Sequence, residues 1–229
     1  MALSALVLAG GVSCGLVGGS LAAITAARAT SERVADGRVG AWAPGWGRDG
    51  GIAHTAVGAI CGAVVCTTLV LRLGLSAPAA VGSLILLVMV AASAVDIAVG
   101  QIPREMVYIG VAIGAAGMAS IAIADGDYRA ALDALGGGAA CTAAFGLLWA
   151  LSPRSIGMGD VRLVGLLGLT LGWYGPFTVG FGLWAAFIAA GLAGGPLFLI
   201  RGRRSRFPFA PALTVGTLAG LLVGACVRC

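Results

Sequence analysis

Two aspartates, Asp96 and Asp160, stand at the ends of long apolar runs with no second acid beside them. An ionisable side chain at membrane depth is costly, so it is a candidate functional residue. Two carboxylates within hydrogen-bonding distance share one proton. The ionised carboxylate can take a proton from water while the protonated one polarises a peptide carbonyl. This pair therefore predicts hydrolysis of a peptide bond without a metal ion or a nucleophilic side chain.

The residues around the two aspartates predict room for a substrate backbone. In the stretch 157–160 two glycines precede Asp160. Glycine has no side chain and adopts positive φ readily, so we expect an open loop here. Pro103 lies in the loop predicted after Asp96, and Arg162 places a cation beside Asp160 in the sequence. The predicted site comprises a catalytic pair, Asp96 and Asp160, and four approach residues, Gly157, Gly159, Pro103 and Arg162.

The predicted helix ends favour different protonation states for the two acids. Asp160 lies at the start of a predicted helix, where the helix dipole favours a negative charge. Asp96 lies at the end of another, where the dipole disfavours one. We therefore expect Asp160 to carry the charge and Asp96 the proton, although the pair titrates as a unit.

The composition predicts a polytopic membrane protein. Of the 229 residues, 59% are hydrophobic and 10% are charged, whereas a soluble domain carries roughly 25% charged residues. The 39 glycines suit close helix packing in lipid. The net charge of +5 comes from arginine, because lysine is absent. In a membrane protein this charge indicates orientation in the bilayer and not a nucleic-acid partner.

The apolar runs predict an all-α fold with about eight transmembrane helices, since about 20 apolar residues cross the bilayer core. The whole chain, 1–229, is predicted to be one membrane domain with a short polar loop at 28–50. The predicted spans are residues 2–27, 52–71, 79–96, 106–124, 131–151, 161–174, 177–200 and 209–226.

The arginines predict the orientation. Eight spans would put both termini on one side of the membrane. The loops on the other side hold eleven of the fourteen arginines. The positive-inside rule makes that side cytoplasmic, and both aspartates fall on it.

The remaining potential metal ligands do not form a recognisable site in the sequence. His54 is the single histidine, and the C-x-x-C pair Cys226 and Cys229 has no second pair. A structural zinc site needs four ligands. We therefore predict neither a metal ion nor another cofactor.

Four short motifs, in order along nearly the whole chain, resemble those of the type IV prepilin peptidases, which are membrane aspartyl peptidases. The stretch GMGDVRL at 157–163 is similar to their G-x-G-D-x-K-L signature, with arginine in place of lysine. The other three are Asp96 with Pro103 seven residues later, Gly19-Ser20-Leu21 with Arg28, and Pro208-Phe209-Ala210-Pro211.

The resemblance implies that Asp96 and Asp160 form the catalytic dyad of a peptidase core at 79–226. It implies an endopeptidase that removes the leader of prepilin or pseudopilin precursors, for a type IV pilus or protein secretion. The enzyme would lie in the bacterial plasma membrane with its site facing the cytoplasm. Its partners would be the precursor and the lipid bilayer. Larger family members bind zinc through a cysteine-rich cytoplasmic loop and methylate the product. The loop 28–50 has no cysteine, so we predict a short form without methyltransferase activity.

Three other functions are compatible with two membrane aspartates. A proton-coupled transporter could use Asp96 and Asp160 as ion sites, but the sequence shows no inverted repeat and both acids fall at one membrane face. The others are a structural subunit of a secretion or pilus machine and a presenilin-like protease with a different substrate.

Overall fold

The computed structural model describes residues 76–99, 102, 104–152, 156–201 and 208–227. Over these ranges the chain is helical and contains no strand, which confirms the all-α prediction for this part of the chain. The predicted spans 2–27 and 52–71 and the loop 28–50 lie outside the described residues. The helices are α1 (Ala77–Val99), α2 (Arg104–Asp125), α3 (Tyr128–Leu151), α4 (Met158–Gly172), α5 (Pro176–Arg201) and α6 (Ala210–Val227).

The turns between these helices follow the residues that interrupt the apolar runs. Asp127 caps α3, and its Oδ1 accepts a hydrogen bond of 3.1 Å from the backbone N–H of Ala130. The break predicted between the spans 161–174 and 177–200 is confirmed, because α4 ends at Gly172 and α5 begins at Pro176. Gly175 there has φ +108°, a conformation open to glycine but strained for other residues.

Four of the described helices are long and apolar enough to cross a membrane. Their apolar segments and mean hydropathies are Ala77–Ile97 (2.3), Arg104–Asp125 (2.0), Tyr128–Leu151 (1.6) and Pro176–Gly194 (1.7). A shorter apolar segment, Ala210–Gly224, lies in α6. Helices α2, α3 and α5 also expose large apolar side chains such as Ile123, Leu132 and Trp184. The finding supports a multi-helix membrane protein, and the number of eight spans stays a prediction.

Helix α4 is the innermost of the described helices. It has 15 residues, which makes it about 22 Å long, less than the roughly 30 Å of a bilayer core. Residues 163–174 are all buried, and α4 contacts each of the other five helices. A helix that is apolar all round is expected to be buried. The run predicted as a short span at 161–174 is therefore the inner helix around which the others pack.

Glycines allow α3 and α4 to touch backbone to backbone. A Cβ added to Gly168 would meet the carbonyl oxygen of Gly137, and it would lie 2.7 Å from the sulfur of Cys141. Small residues at such a contact let two helices approach closely in an apolar environment. Because α4 begins with the residues around Asp160, this contact also positions the candidate site.

Candidate active site

Asp96 lies inside α1, three residues before the helix ends at Val99. The prediction that the helix ends at Asp96 is therefore wrong, because the apolar residues from Ile97 to Val99 continue the helix. The side chain of Asp96 is buried, with 7% of its surface exposed. A carboxylate buried to this extent needs hydrogen-bond partners.

The carboxylate of Asp96 meets the start of α6. Its Oδ2 accepts a hydrogen bond of 3.2 Å from the backbone N–H of Ala210, the first residue of that helix. The first four N–H groups of a helix have no acceptor within the helix. The N-terminus of α6 thus supplies both a donor and the positive end of a helix dipole to Asp96.

Asp160 lies in the first turn of α4, as the sequence predicts for a residue near a helix N-terminus. Its side chain is half-buried. The backbone N–H of Asp160 donates to the carbonyl oxygen of Gly157 at 3.0 Å, and the backbone of Gly157 also hydrogen-bonds to the Asp160 carboxylate. The glycine before α4 therefore holds this carboxylate over the start of the helix.

The fold brings the two aspartates into electrostatic contact. Burial raises the pKa of Asp160 to about 6, the negative charge of Asp96 also raises it, and the hydrogen bond from the Gly157 backbone lowers it. A carboxylate has this effect on another only when the two are close and poorly screened by water. Asp96 on α1 and Asp160 on α4, predicted as a pair from the sequence, therefore lie within electrostatic range of each other, and their joint catalytic role stays a prediction.

The surroundings of the pair differ from those assumed in the sequence argument. Burial and the charge of Asp96 raise the pKa of Asp160, and the backbone N–H of Ala210 donates to Asp96. The helix-end argument considered only each residue's own helix, whereas Asp96 also meets the N-terminus of α6. Which aspartate carries the shared proton stays a prediction.

Gly157 and Gly159 have a different role from the one expected. The positive-φ residues in the described ranges are Gly126 and Gly175. Gly157 is extended, with φ −75° and ψ 141°, and Gly159 lies inside α4. The stretch 157–160 is therefore not an open loop, because α4 already begins at Met158, and the approach of a substrate backbone beside these glycines stays a prediction.

A side chain at either glycine would contact the protein itself. A Cβ on Gly159 would lie 3.0 Å from the Cβ of Ile102, and a Cβ on Gly157 would lie 3.1 Å from Oδ2 of Asp160. Ile102 follows α1 in the sequence. The missing side chain of Gly159 thus lets the segment after Asp96 approach α4. The missing side chain of Gly157 leaves room for the Asp160 carboxylate.

Arg162 is a half-buried residue of α4 and not part of a loop. Side chains two residues apart on a helix do not face each other, so Arg162 and Asp160 point in different directions. In the described part of the chain, the ion pair found joins the exposed side chains of Arg104 and Glu105 at 3.2 Å. Pro103 lies outside the described residues.

The sequence did not identify the contact between Asp96 and the N-terminus of α6. The available signal was the Pro208–Pro211 stretch, since proline has no N–H and is favoured in the first turn of a helix. The ring of Phe209 packs 5.9 Å from that of Phe187, which stacks 6.1 Å from that of Phe145. This aromatic row connects the start of α6 to α5 and α3.

A purely structural role for Asp96, as a cap of α6, explains only part of the site. A cap requires one carboxylate, and Asp96 supplies it to Ala210. It does not require a second carboxyl group within electrostatic reach, because two like charges at short distance destabilise the fold. The position of Asp160 beside Asp96 is the feature that a cap leaves unexplained.

Comparisons of the chain with known protein families, curated proteins and solved structures give no match. Across the ranges that the structure covers, no group of three or more His, Cys, Asp or Glu could hold a metal ion. The functional conclusion therefore depends on the carboxyl pair and on the motifs around it.

Proposed function

We propose that this protein is a membrane aspartyl endopeptidase with Asp96 and Asp160 as its catalytic pair. The observation that supports the proposal is the electrostatic contact between the two carboxyl groups, one buried on α1 and one half-buried on α4. Perturbed acids that interact with each other are typical of catalytic sites. In the proposed site the two carboxyl groups share one proton, which gives the asymmetry that acid–base catalysis needs.

Each carboxyl group has one role in the proposed reaction. Asp96, ionised, removes a proton from a water molecule, which attacks the carbonyl carbon of the scissile peptide bond. Asp160, protonated, donates its proton to the carbonyl oxygen as that oxygen gains negative charge. When the tetrahedral intermediate collapses, Asp96 passes its proton to the leaving amine and Asp160 recovers its own. Hydrolysis is then complete, and the pair again holds one proton.

The substrate class follows from the four motifs and from the predicted orientation. We propose a prepilin or pseudopilin precursor, cut on the cytoplasmic side of a bacterial plasma membrane just before its apolar helix. The arginine-rich loops predicted on that side would repel a basic leader. Recognition therefore depends on contacts between the substrate helix and the protein's helices within the bilayer. The cysteine-free loop 28–50 supports a peptidase without methyltransferase activity.

Co-expression with a pilin-like precursor tests the proposal. The precursor is examined by gel shift and its product by N-terminal sequencing, for the parent protein and for Asp96→Ala, Asp160→Ala and Asp133→Ala. Asp133 is an exposed acid of α3 and serves as the control. We expect the dyad variants to lose at least about 100-fold in cleavage rate and the control to cleave normally. Cleavage that persists in both dyad variants would overturn the assignment.

A further inference from the structure

Three side-chain contacts at hydrogen-bonding distance connect α1 to α6 near Asp96. One is the bond from the Ala210 N–H to Asp96. In the second, the hydroxyl oxygens of Ser93 and Thr214 lie 2.8 Å apart. In the third, the Thr214 hydroxyl lies 3.3 Å from the carbonyl oxygen of Met89. Ser93 and Thr214 are both buried, so neither hydroxyl has bulk water as an alternative partner.

The spacing of these residues makes the contacts one unit. Ser93 precedes Asp96 by three residues on α1, and Thr214 follows Ala210 by four residues on α6. Residues three or four apart lie on the same face of a helix. The Ser93–Thr214 contact therefore lies one helical turn from the Asp96–Ala210 bond, on the same pair of facing surfaces.

The two hydroxyl groups also have partners within their own helices. Ser93 lies 2.8 Å from the Met89 carbonyl oxygen and Thr214 lies 3.0 Å from the Ala210 carbonyl oxygen, each as a donor. With one proton on each hydroxyl, Ser93 can donate to Met89 while Thr214 donates to Ser93. This arrangement satisfies the buried hydroxyls and uses the interhelical contact.

We propose that Ser93 and Thr214 are positioning residues, whose hydrogen bond holds the N-terminus of α6 in register with α1 so that the Ala210 N–H reaches the Asp96 carboxylate. A helix rises 1.5 Å per residue, so a slip by one residue would lengthen the 3.2 Å bond to Asp96 beyond hydrogen-bonding distance. Two contacts a turn apart prevent both sliding and rotation. The predicted effect of Ser93 and Thr214 on cleavage rests on the proposed peptidase function. Their predicted effect on the protonation of the carboxyl pair does not.

Among the described residues, the charged groups around Asp96 are few, so loss of the Ala210 hydrogen bond has a defined consequence. Asp160 of α4 lies within electrostatic range of Asp96, and α6 carries no charged residue. At the start of α2, Arg104 and Glu105 are exposed and pair with each other. Without the bond from Ala210, Asp96 retains no described donor that favours its ionised form. The shared proton is then expected to move from Asp160 toward Asp96.

Matched hydroxyl deletions test this proposal. The test variants are Ser93→Ala and Thr214→Val. The controls are Ser83→Ala and Thr217→Val on the same two helices, whose buried hydroxyls donate only to carbonyl oxygens of their own helix, Ala79 at 2.8 Å and Leu213 at 2.9 Å. Thr214→Ser keeps the hydroxyl and should restore the parent behaviour.

Two readouts separate this proposal from the peptidase assignment. Infrared difference spectra of the purified protein, with Asp160→Asn and Asp96→Asn to assign the bands, follow the protonated carboxyl without any substrate. The rate of cleavage of a pilin-like precursor, measured at several pH values, gives kcat and KM. We expect Thr214→Val to shift the carboxyl band and to lower kcat at least tenfold with little change in KM, and the controls to change kcat less than twofold.

The proposal is overturned if Thr214→Val matches Thr217→Val in the infrared spectrum. If the parent protein cleaves no precursor, the peptidase assignment fails, and the infrared comparison still decides the positioning role. If Thr214→Val shifts the band but Thr214→Ser does not restore it, side-chain shape and not the hydrogen bond is responsible, which also contradicts the proposal.

Discussion

At the scale of single residues, the site depends on which aspartate holds the proton. Asp160 is half-buried and close to the charge of Asp96, and its pKa is raised to about 6. Asp96 receives a backbone hydrogen bond from another helix. In the proposed mechanism the same side chain therefore acts as a base at Asp96 and as an acid at Asp160, because the two environments differ.

This assignment predicts how activity depends on pH. The proposed reaction needs the proton of Asp160, which is lost as the pH rises through its pKa of about 6. We expect the cleavage rate to fall above about pH 6, approaching tenfold per pH unit once the pair has lost its shared proton. Initial rates in detergent across this range provide the measurement. A rate that increases between about pH 6 and 8 would contradict the role of Asp160 as the acid.

The same pKa predicts how stability depends on pH. Because the pKa of Asp160 in the fold exceeds the ordinary value of 3.8, the folded state binds this proton more tightly than the unfolded state does. The resulting stabilisation is fully present below the ordinary value and is lost as the pH rises through about 6. Asp160→Asn should remove this dependence, and thermal unfolding of the two proteins at several pH values checks it. An unchanged pH dependence in the variant would show that other groups cause it.

At the scale of helices, α4 positions the site because it is surrounded by the others. Its glycines bring it against α3, and its first turn carries Asp160 to the end of α1. Close helix contacts of this kind tolerate little extra volume. The position of Asp160, the proposed catalytic acid, is therefore coupled to helix packing well away from it.

A substitution at the contact between α3 and α4 tests this coupling. Gly168→Ala would bring a methyl group against Gly137 and Cys141. We expect it to destabilise the protein by about 1–3 kcal/mol and to reduce cleavage. Gly180→Ala in α5 is the matched control, because a Cβ there meets nothing within 4 Å. Thermal unfolding in detergent measures both variants, and equal midpoints would argue against a tight contact.

At the scale of the whole molecule, the arginines predict the orientation of the candidate site in the membrane. Arg104 begins α2 at the predicted cytoplasmic end, and Arg129 lies at the predicted opposite end, in the first turn of α3. Both side chains are exposed. Probes introduced at these two positions can therefore distinguish the two sides of the membrane with little disturbance of the helix packing.

Thiol labelling of these two positions tests the orientation. The six native cysteines are first replaced, and Arg104→Cys or Arg129→Cys is then introduced. In right-side-out vesicles, a membrane-impermeant maleimide should label Arg129→Cys, and it should label Arg104→Cys only after the vesicles are inverted or opened. The opposite pattern would place the aspartates on the outer face and exclude a cytoplasmic substrate.

Much of the described fold could be predicted from the sequence because the determinants are local. Long apolar runs make helices in a membrane, and glycines, prolines and aspartates between them end those helices. The pairing of Asp96 with Asp160 was also predictable, because few acids stand at the ends of apolar runs. The observed limits of α1 and α4 differ from the predicted ones by two or three residues, since helix ends depend on contacts as well as on residue type.

The remaining features of the site depend on contacts between residues far apart in the sequence. The Ala210 N–H reaches Asp96 across more than a hundred residues of chain, and no local pattern specifies that contact. The same holds for Gly159 against Ile102 and for Ser93 against Thr214. The sequence alone thus determined the class of protein and the candidate pair, through hydrophobicity and the cost of charge in an apolar region. Only the tertiary structure decided which helix end each carboxylate meets, because those contacts join residues far apart in the sequence.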